Sequence, residues 1–112
     1  MKKIYKFALI LLSTLGLILG TTSTSFSKVE GDKIILGAAV SLTGKYSTNG
    51  KHTQNGYNFA VTRINQMGGV KVGGKSYKFN IIYYDDESNS GRAAQLAERL
   101  IKQDGVKFML GP

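Results

Sequence analysis

The chain has no cysteine, which removes disulfides, thiolate zinc ligands and thiol nucleophiles at one stroke. It has one histidine, His52. With no second imidazole and no thiolate to join it, His52 cannot anchor a typical metal site and reads as a solvated surface residue. No Gly-x-Ser-x-Gly elbow is present, and no Ser/His/Asp set can be argued. Basic residues are in excess, with a formal net charge of +8, but they are scattered. No cluster or stripe forms that would follow a phosphate backbone, so nucleic acid is not an expected partner. The expectation is a protein that is not an enzyme and needs no metal or cofactor.

A long apolar run is also missing. The longest stretch, residues 7–20, is interrupted by Ser13, Thr14 and Gly16 and falls short of the ~20 residues that cross a bilayer. It is preceded by Lys2, Lys3 and Lys6 and followed by a small-residue tract, Thr21 to Ser27. Basic, apolar, then small is the order of a secretory signal. Ser25 and Ser27 sit at the third and first positions before a cut at Lys28; Thr21 and Ser23 offer an earlier cut. The chain is therefore read as a signal peptide over 1–27 and a mature segment over 28–112. A retained membrane anchor is the weaker alternative. No cysteine stands at the cut to carry a lipid, so the mature protein is expected free in solution. Removing the leader leaves twelve basic against seven acidic residues, a mild excess that favours solubility.

The mature segment alternates two periodicities. Lys33–Ser41 is a short apolar run with β-branched residues, as in a strand buried on both faces. Leu42–Gly50 is rich in Gly, Ser, Thr and Asn and reads as a loop. A helix is predicted over 51–67, with Tyr57, Ala60, Val61, Ile64 and Met67 on its apolar face and Gly56 allowing close approach to a sheet. Gly68-Gly69 ends it. Gly73-Gly74 signals a hairpin turn, and Tyr77–Tyr84 a second strand. The polar turn Asp85–Ser90 leads to a second helix over 91–103, capped by Asn89 or Ser90 and buried through Ala93, Leu96, Ala97, Leu100 and Ile101. Gly105 stops it, and Val106–Leu110 is a third strand. Strand, helix, strand, helix, strand implies a parallel, doubly wound α/β sheet with right-handed crossovers and strand order 2-1-3. Strand three would then lie at an open edge, which suggests a fragment of a larger domain.

Two local patterns resemble known chemistry and fail on spacing. Gly44 to Lys51 approaches a phosphate-binding loop, but five residues separate its glycines and His52 follows the lysine, where the motif needs four and Ser or Thr. Asp85-Asp86-Glu87 could hold Mg²⁺ or supply an acid pair; the preferred reading is a solvated turn whose charge complements the next helix dipole.

Five segments in order resemble type I periplasmic solute-binding proteins of the leucine/isoleucine/valine-binding class. Ile34–Gly44 is similar to that family's first strand and small-residue loop. Gly50 and Gly56-Tyr57 are similar to its first helix, and Ile64–Val70 to its Ile-Asn…Gly-Gly signature. Asp85-Asp86-Glu87 falls at its acidic turn, and Asp104–Pro112 at its third strand. Lys45 and Ser90 depart from the pattern, each standing where proline is common, and Lys45 alters the mouth of the cleft. The resemblance covers about residues 33–112. It implies one lobe of a two-lobed protein that closes by a hinge on a small solute, an amino acid (branched-chain or related) or an amide, and delivers it to an ABC permease in the inner membrane. In that family, loops after the third and fourth strands hold the amino-acid head group and would lie past Pro112. In the loop after strand one, Asn49 matches a position that often faces the ligand. Tyr46, Ser47 and Lys45 are its neighbours and lesser candidates. The other readings left open are the extracellular domain of a signalling receptor, an exported enzyme, and a truncated product with no binding of its own.

Overall fold

The computed structural model describes residues 29–111; the predicted signal peptide lies outside them. Seven elements follow in chain order: β1 (Val29–Glu30), β2 (Lys33–Val40), α1 (Ser47–Gln66), β3 (Val70–Val72), β4 (Lys75–Asp85), α2 (Ser90–Lys102) and β5 (Phe108–Met109). β2 is the centre. It pairs in parallel with β4 along its whole length, from Lys33↔Lys78 to Val40↔Asp85, and with β5 through Leu36↔Phe108 and Gly37↔Met109. The three main strands thus stand in the order expected, second, first, third. β3 pairs antiparallel with β4 across the Gly73-Gly74 turn. β1 adds an antiparallel bridge to β2, Val29↔Ile34 and Glu30↔Lys33, which at two residues carries no readable pattern in the sequence.

The crossovers from β2 to β4 and from β4 to β5 leave in opposite directions, so right-handedness sends α1 and α2 to opposite faces of the sheet. Alternation along β2 then divides its residues. On the α2 face, Ile35 packs with Leu100 and Val106, and Ile82 and Tyr84 lean on the same cluster. Gly37 belongs to this face as well; a Cβ there would lie 3.0 Å from Val106 and 3.2 Å from Leu100. Ala38 and Val40, both with no exposed surface, point to the α1 face. β2 is buried from Gly37 to Val40 on both sides, which is why its sequence is apolar without alternation.

The helices depart from expectation in instructive ways. α1 begins at Ser47, four residues earlier than predicted, so Ser47 and Asn49 belong to its first turn and not to a loop. Its cap comes from elsewhere in the chain: the Ser88 hydroxyl accepts from the Tyr46 amide at 2.9 Å. The glycine that admits α1 to the sheet is Gly50, not Gly56. Gly50 is buried, and a Cβ on it would lie 1.9 Å from the Ser41 carbonyl oxygen; a Cβ on Gly56 meets nothing within 4 Å. The face α1 turns inward runs through Gly50, Thr53, Tyr57, Val61 and Ile64, whereas Ala60 and Met67 are exposed. α2 buries Leu100 completely and half-buries Ala93, Leu96 and Ala97, but Ile101 is exposed. The third strand is shorter than expected. Val106 is not part of it: its amide donates to the Leu100 carbonyl and its side chain fills the core.

Asn65 explains why an Ile-Asn pair precedes the double glycine. Its side-chain amide donates to the Phe79 carbonyl at 2.8 Å and accepts from the Phe79 amide at 2.8 Å, replacing a missing strand neighbour. Gly68 and Gly69 then take positive φ, 99° and 81°, and the Gly69 amide returns to the Ile64 carbonyl, closing the helix in the usual left-handed manner.

Candidate functional site

β2, β4 and β5 run parallel, so their carboxyl ends share one edge of the sheet. Because the chain leaves β2 for β4 on one side and reaches β5 on the other, β2 marks the switch point, where open α/β sheets leave a crevice. Two loops build the edge there: 41–46 after β2, and 86–89 after β4.

These loops are fastened to each other by carboxylates. Asp85 accepts from the amides of Leu42 (2.9 Å) and Thr43 (3.2 Å), from the Thr43 hydroxyl (2.7 Å), and from the amide of Glu87 (2.9 Å). The Thr43 hydroxyl above all, with those amides, holds the Asp85 carboxyl below its ordinary range. Asp86 is 3% exposed and accepts from the Ser41 hydroxyl (2.6 Å) and the Ser88 amide (2.8 Å). Ser88 in turn donates to the Thr43 carbonyl at 2.7 Å. The reading of Asp85-Asp86-Glu87 as a solvated turn is therefore corrected. Two of the three carboxylates are structural clasps, Asp86 buried and Asp85 half-buried, while Glu87 is exposed, 3.5 Å from Arg92. The clasp holds Glu87 and Ser88 at φ of 54° and 63°, a left-handed pair that non-glycine residues rarely adopt. Asn89 caps α2 by accepting from the Arg92 amide at 2.9 Å.

On this clasped edge lies a groove of about 230 Å³ lined by Ser41, Tyr46, Asn49, Gly50 and Thr53. Of the four residues singled out in the sequence, Tyr46 and Asn49 meet here. Tyr46 is half-exposed and Asn49 exposed. Ser47 starts α1 without lining the groove, and Lys45 lays its ammonium over the Tyr46 ring, 5.2 Å from the centroid. Ser41 and Thr53 were missed. Ser41 reads as the end of a strand, and Thr53 lies in a polar helical stretch. The available signal was the four-residue spacing of Asn49, Thr53 and Tyr57, which places them in one stripe once α1 is known to start at Ser47. Farther along that stripe, the Tyr57 hydroxyl donates to the Gly111 carbonyl at 3.0 Å, tying α1 to the exit of β5. A second cavity of about 470 Å³ adjoins the groove, lined by Ser41, Tyr46, Asp86, Ser88, Asn89, Ser90 and Ala93.

A three-stranded parallel core with helices on both faces and a groove at the switch point define a doubly wound α/β lobe. The chain belongs to the periplasmic binding protein family, whose model matches residues 33–112. It is 29% identical over 90 residues to the Leu/Ile/Val-binding protein BraC3 of Rhizobium johnstonii, a match covering 80% of this chain and 23% of that protein. The chain thus spans about a quarter of the length of this curated relative. Among solved structures it is similar to the branched-chain amino acid transporter substrate-binding protein LivJ of Streptococcus pneumoniae in complex with isoleucine. There the TM-score is 0.63 and the identity 29%, over 71% of this chain and 22% of that one. It is also similar to a solute-binding protein of an ABC transporter from Rhodopseudomonas palustris, in complex with 3,4-dihydroxybenzoic acid. That match has a TM-score of 0.54 and 29% identity, over 70% and 20% of the two chains.

Proposed function

We propose that this chain supplies the first lobe of an exported solute-binding protein that captures an amino acid or small amide and passes it to an ABC permease. The groove formed by Ser41, Tyr46, Asn49, Gly50 and Thr53 is one wall of its ligand cleft. The observation that carries this reading is the position of the groove, at the carboxyl end of the central strand and on the first turns of α1, in a chain of the periplasmic binding protein family. Binding is the whole of the chemistry: the solute is held and released, with no bond made or broken. Residues 1–27 direct export and are removed before Lys28, and the mature protein works outside the inner membrane. N-terminal sequencing of the exported protein tests that point, and a retained Met1 would refute it.

The cleft assignment is tested by calorimetric titration of the complete gene product with a panel of amino acids and amides. One solute is expected to bind at micromolar concentration or below. Asn49→Ala is expected to weaken it about tenfold, the equivalent of one hydrogen bond of ~1.4 kcal/mol. Unchanged affinity would remove Asn49 from the site.

A further inference from the structure

The two sides of α1 differ in chemistry. Opposite the stripe that lies on the sheet stand Lys51, Asn55, Phe59 and Arg63, at four-residue spacing and all exposed. Phe59 is 75% exposed. The β3–β4 hairpin continues this surface past the carboxyl end of α1. Val72 and Lys75 pair across it. Tyr83 reaches Asn58 on α1, and alternation from Tyr83 puts Lys75, with Val72 beside it, on the same face of the sheet. Val72 is 57% exposed.

The charge here has one sign. From Lys33 to Tyr84 the chain has seven basic residues and no acidic one. Among the described residues, no carboxylate lies within ion-pairing distance of Lys51, Arg63 or Lys75, whereas α2, across the sheet, balances Arg92 with Glu87 and Lys102 with Glu98. The layered build keeps this surface on the outside. A doubly wound lobe packs one layer of helices on each face of its sheet, so the side of α1 away from the sheet meets solvent. Strands that extend the sheet join at the free edge of β5, and the hairpin lies at the other edge.

Like charge opposes a second copy of the chain on this surface. A protein partner needs a close-packed apolar centre, but Phe59 and Val72 are separate projections from a convex surface. The grooves found among the described residues lie elsewhere, at the carboxyl edge of the sheet. A fluid bilayer needs no such fit: basic side chains meet anionic headgroups while an apolar side chain enters the boundary beneath them. We propose that the outer side of α1 and the hairpin dock on an anionic phospholipid surface. Phe59 and Val72 enter the headgroup layer, and Lys51, Arg63 and Lys75 pair with its phosphates. This role is separate from the cleft, and loss of solute binding would leave it untouched.

The test is co-sedimentation of the complete gene product with vesicles of equal parts phosphatidylglycerol and phosphatidylcholine, and with vesicles of phosphatidylcholine alone. Binding is expected to the first and not to the second, and it should weaken as salt rises. Phe59→Ser is expected to weaken it about tenfold, and Arg63→Gln and Lys75→Gln about fivefold each. All three residues are exposed, so the variants should fold, which circular dichroism checks. Lys102→Gln, on the other face, is expected to change nothing. No binding to the anionic vesicles, equal binding to both kinds, or binding indifferent to salt overturns the proposal. Equal weakening by Lys102→Gln does so too, since net charge would then act without a defined surface. Retention on immobilised polyglutamate, with lipid binding indifferent to Phe59→Ser, would replace the bilayer with an acidic protein and also overturn it.

Discussion

Single atoms decide much of this fold. At Gly50 the absent side chain is what lets α1 start against the end of β2, since a Cβ would sit 1.9 Å from a backbone oxygen that cannot swing away. Gly50→Ala is therefore expected to destabilise the protein by about 3 kcal/mol or more, or to stop it folding. Gly56, one and a half turns on, is exposed with open space at its Cβ position. There alanine is expected to raise stability by about 0.5–1 kcal/mol, because it restricts the unfolded chain and favours helix. Urea unfolding of the two variants side by side checks both signs. Asp85 gives a second residue-scale expectation. Its folded carboxyl is held below the ordinary value, so the stability it confers is complete above the unfolded range, near pH 4, and is lost as pH falls through the lower folded value. In urea titrations at stepped pH, the wild type should lose stability more steeply below about pH 4 than Asp85→Asn, which has no charge to neutralise. Parallel pH profiles would show that the clasp does not depend on ionisation.

Among the elements, α1 shows how a helix can arise where local propensity argues against it. Its first turn, Ser47-Thr48-Asn49-Gly50, contains the residues that read as loop, and Tyr46 offers no side-chain cap. The turn forms because Ser88, from the loop after β4, supplies the cap and Gly50 permits the contact. Once placed, α1 carries Asn49 and Thr53 to the groove and Tyr57 to the exit of β5. At its other end, Asn65 stands in for a strand by bonding both backbone groups of Phe79. Asn65→Ala leaves those two groups without partners and is expected to cost about 2–6 kcal/mol, at ~1–3 kcal/mol for each half-buried orphan. The midpoint of urea unfolding measures it. A loss under about 0.5 kcal/mol, well below one such bond, would mean that water replaces the asparagine.

For the molecule as a whole, the sheet is unevenly protected. One side ends in the β3–β4 hairpin. The other ends in β5, whose Phe108 is 52% and Met109 36% exposed, and which among the described residues pairs only with β2. An apolar strand with a free edge is a template for further pairing. Residues 28–112 taken alone are expected to self-associate with rising concentration, and Phe108→Lys, which places a charge at that edge, is expected to shift them toward monomer in sedimentation velocity. Monomeric behaviour of the wild type at all concentrations would show that the edge is protected. The two-sided burial of β2 is also a property of this scale, since it takes helices on both faces to shield Ala38 and Val40 on one side and Ile35 on the other.

The amino-acid sequence by itself determined the alternation of strands and helices, the parallel sheet and its strand order, the asparagine cap of α2 and the double-glycine stop of α1, and the resemblance to the solute-binding family. These rest on periodicity and on residues whose backbone preferences are local. Only the tertiary structure decided where α1 begins, which glycine touches the sheet, that Asp85 and Asp86 are clasps and not a solvated turn, and that Ser41 and Thr53 share a groove with Tyr46 and Asn49. The start of α1 and the clasps depend on contacts between residues some 40 positions apart, Ser41 to Asp86 and Tyr46 to Ser88 among them, and the other two on how closely the first turns of α1 pack against the end of β2. Such contacts leave no period in the sequence, because a side chain that caps or clasps a distant loop needs only to be the right chemical group in the right place once the sheet has brought the two together.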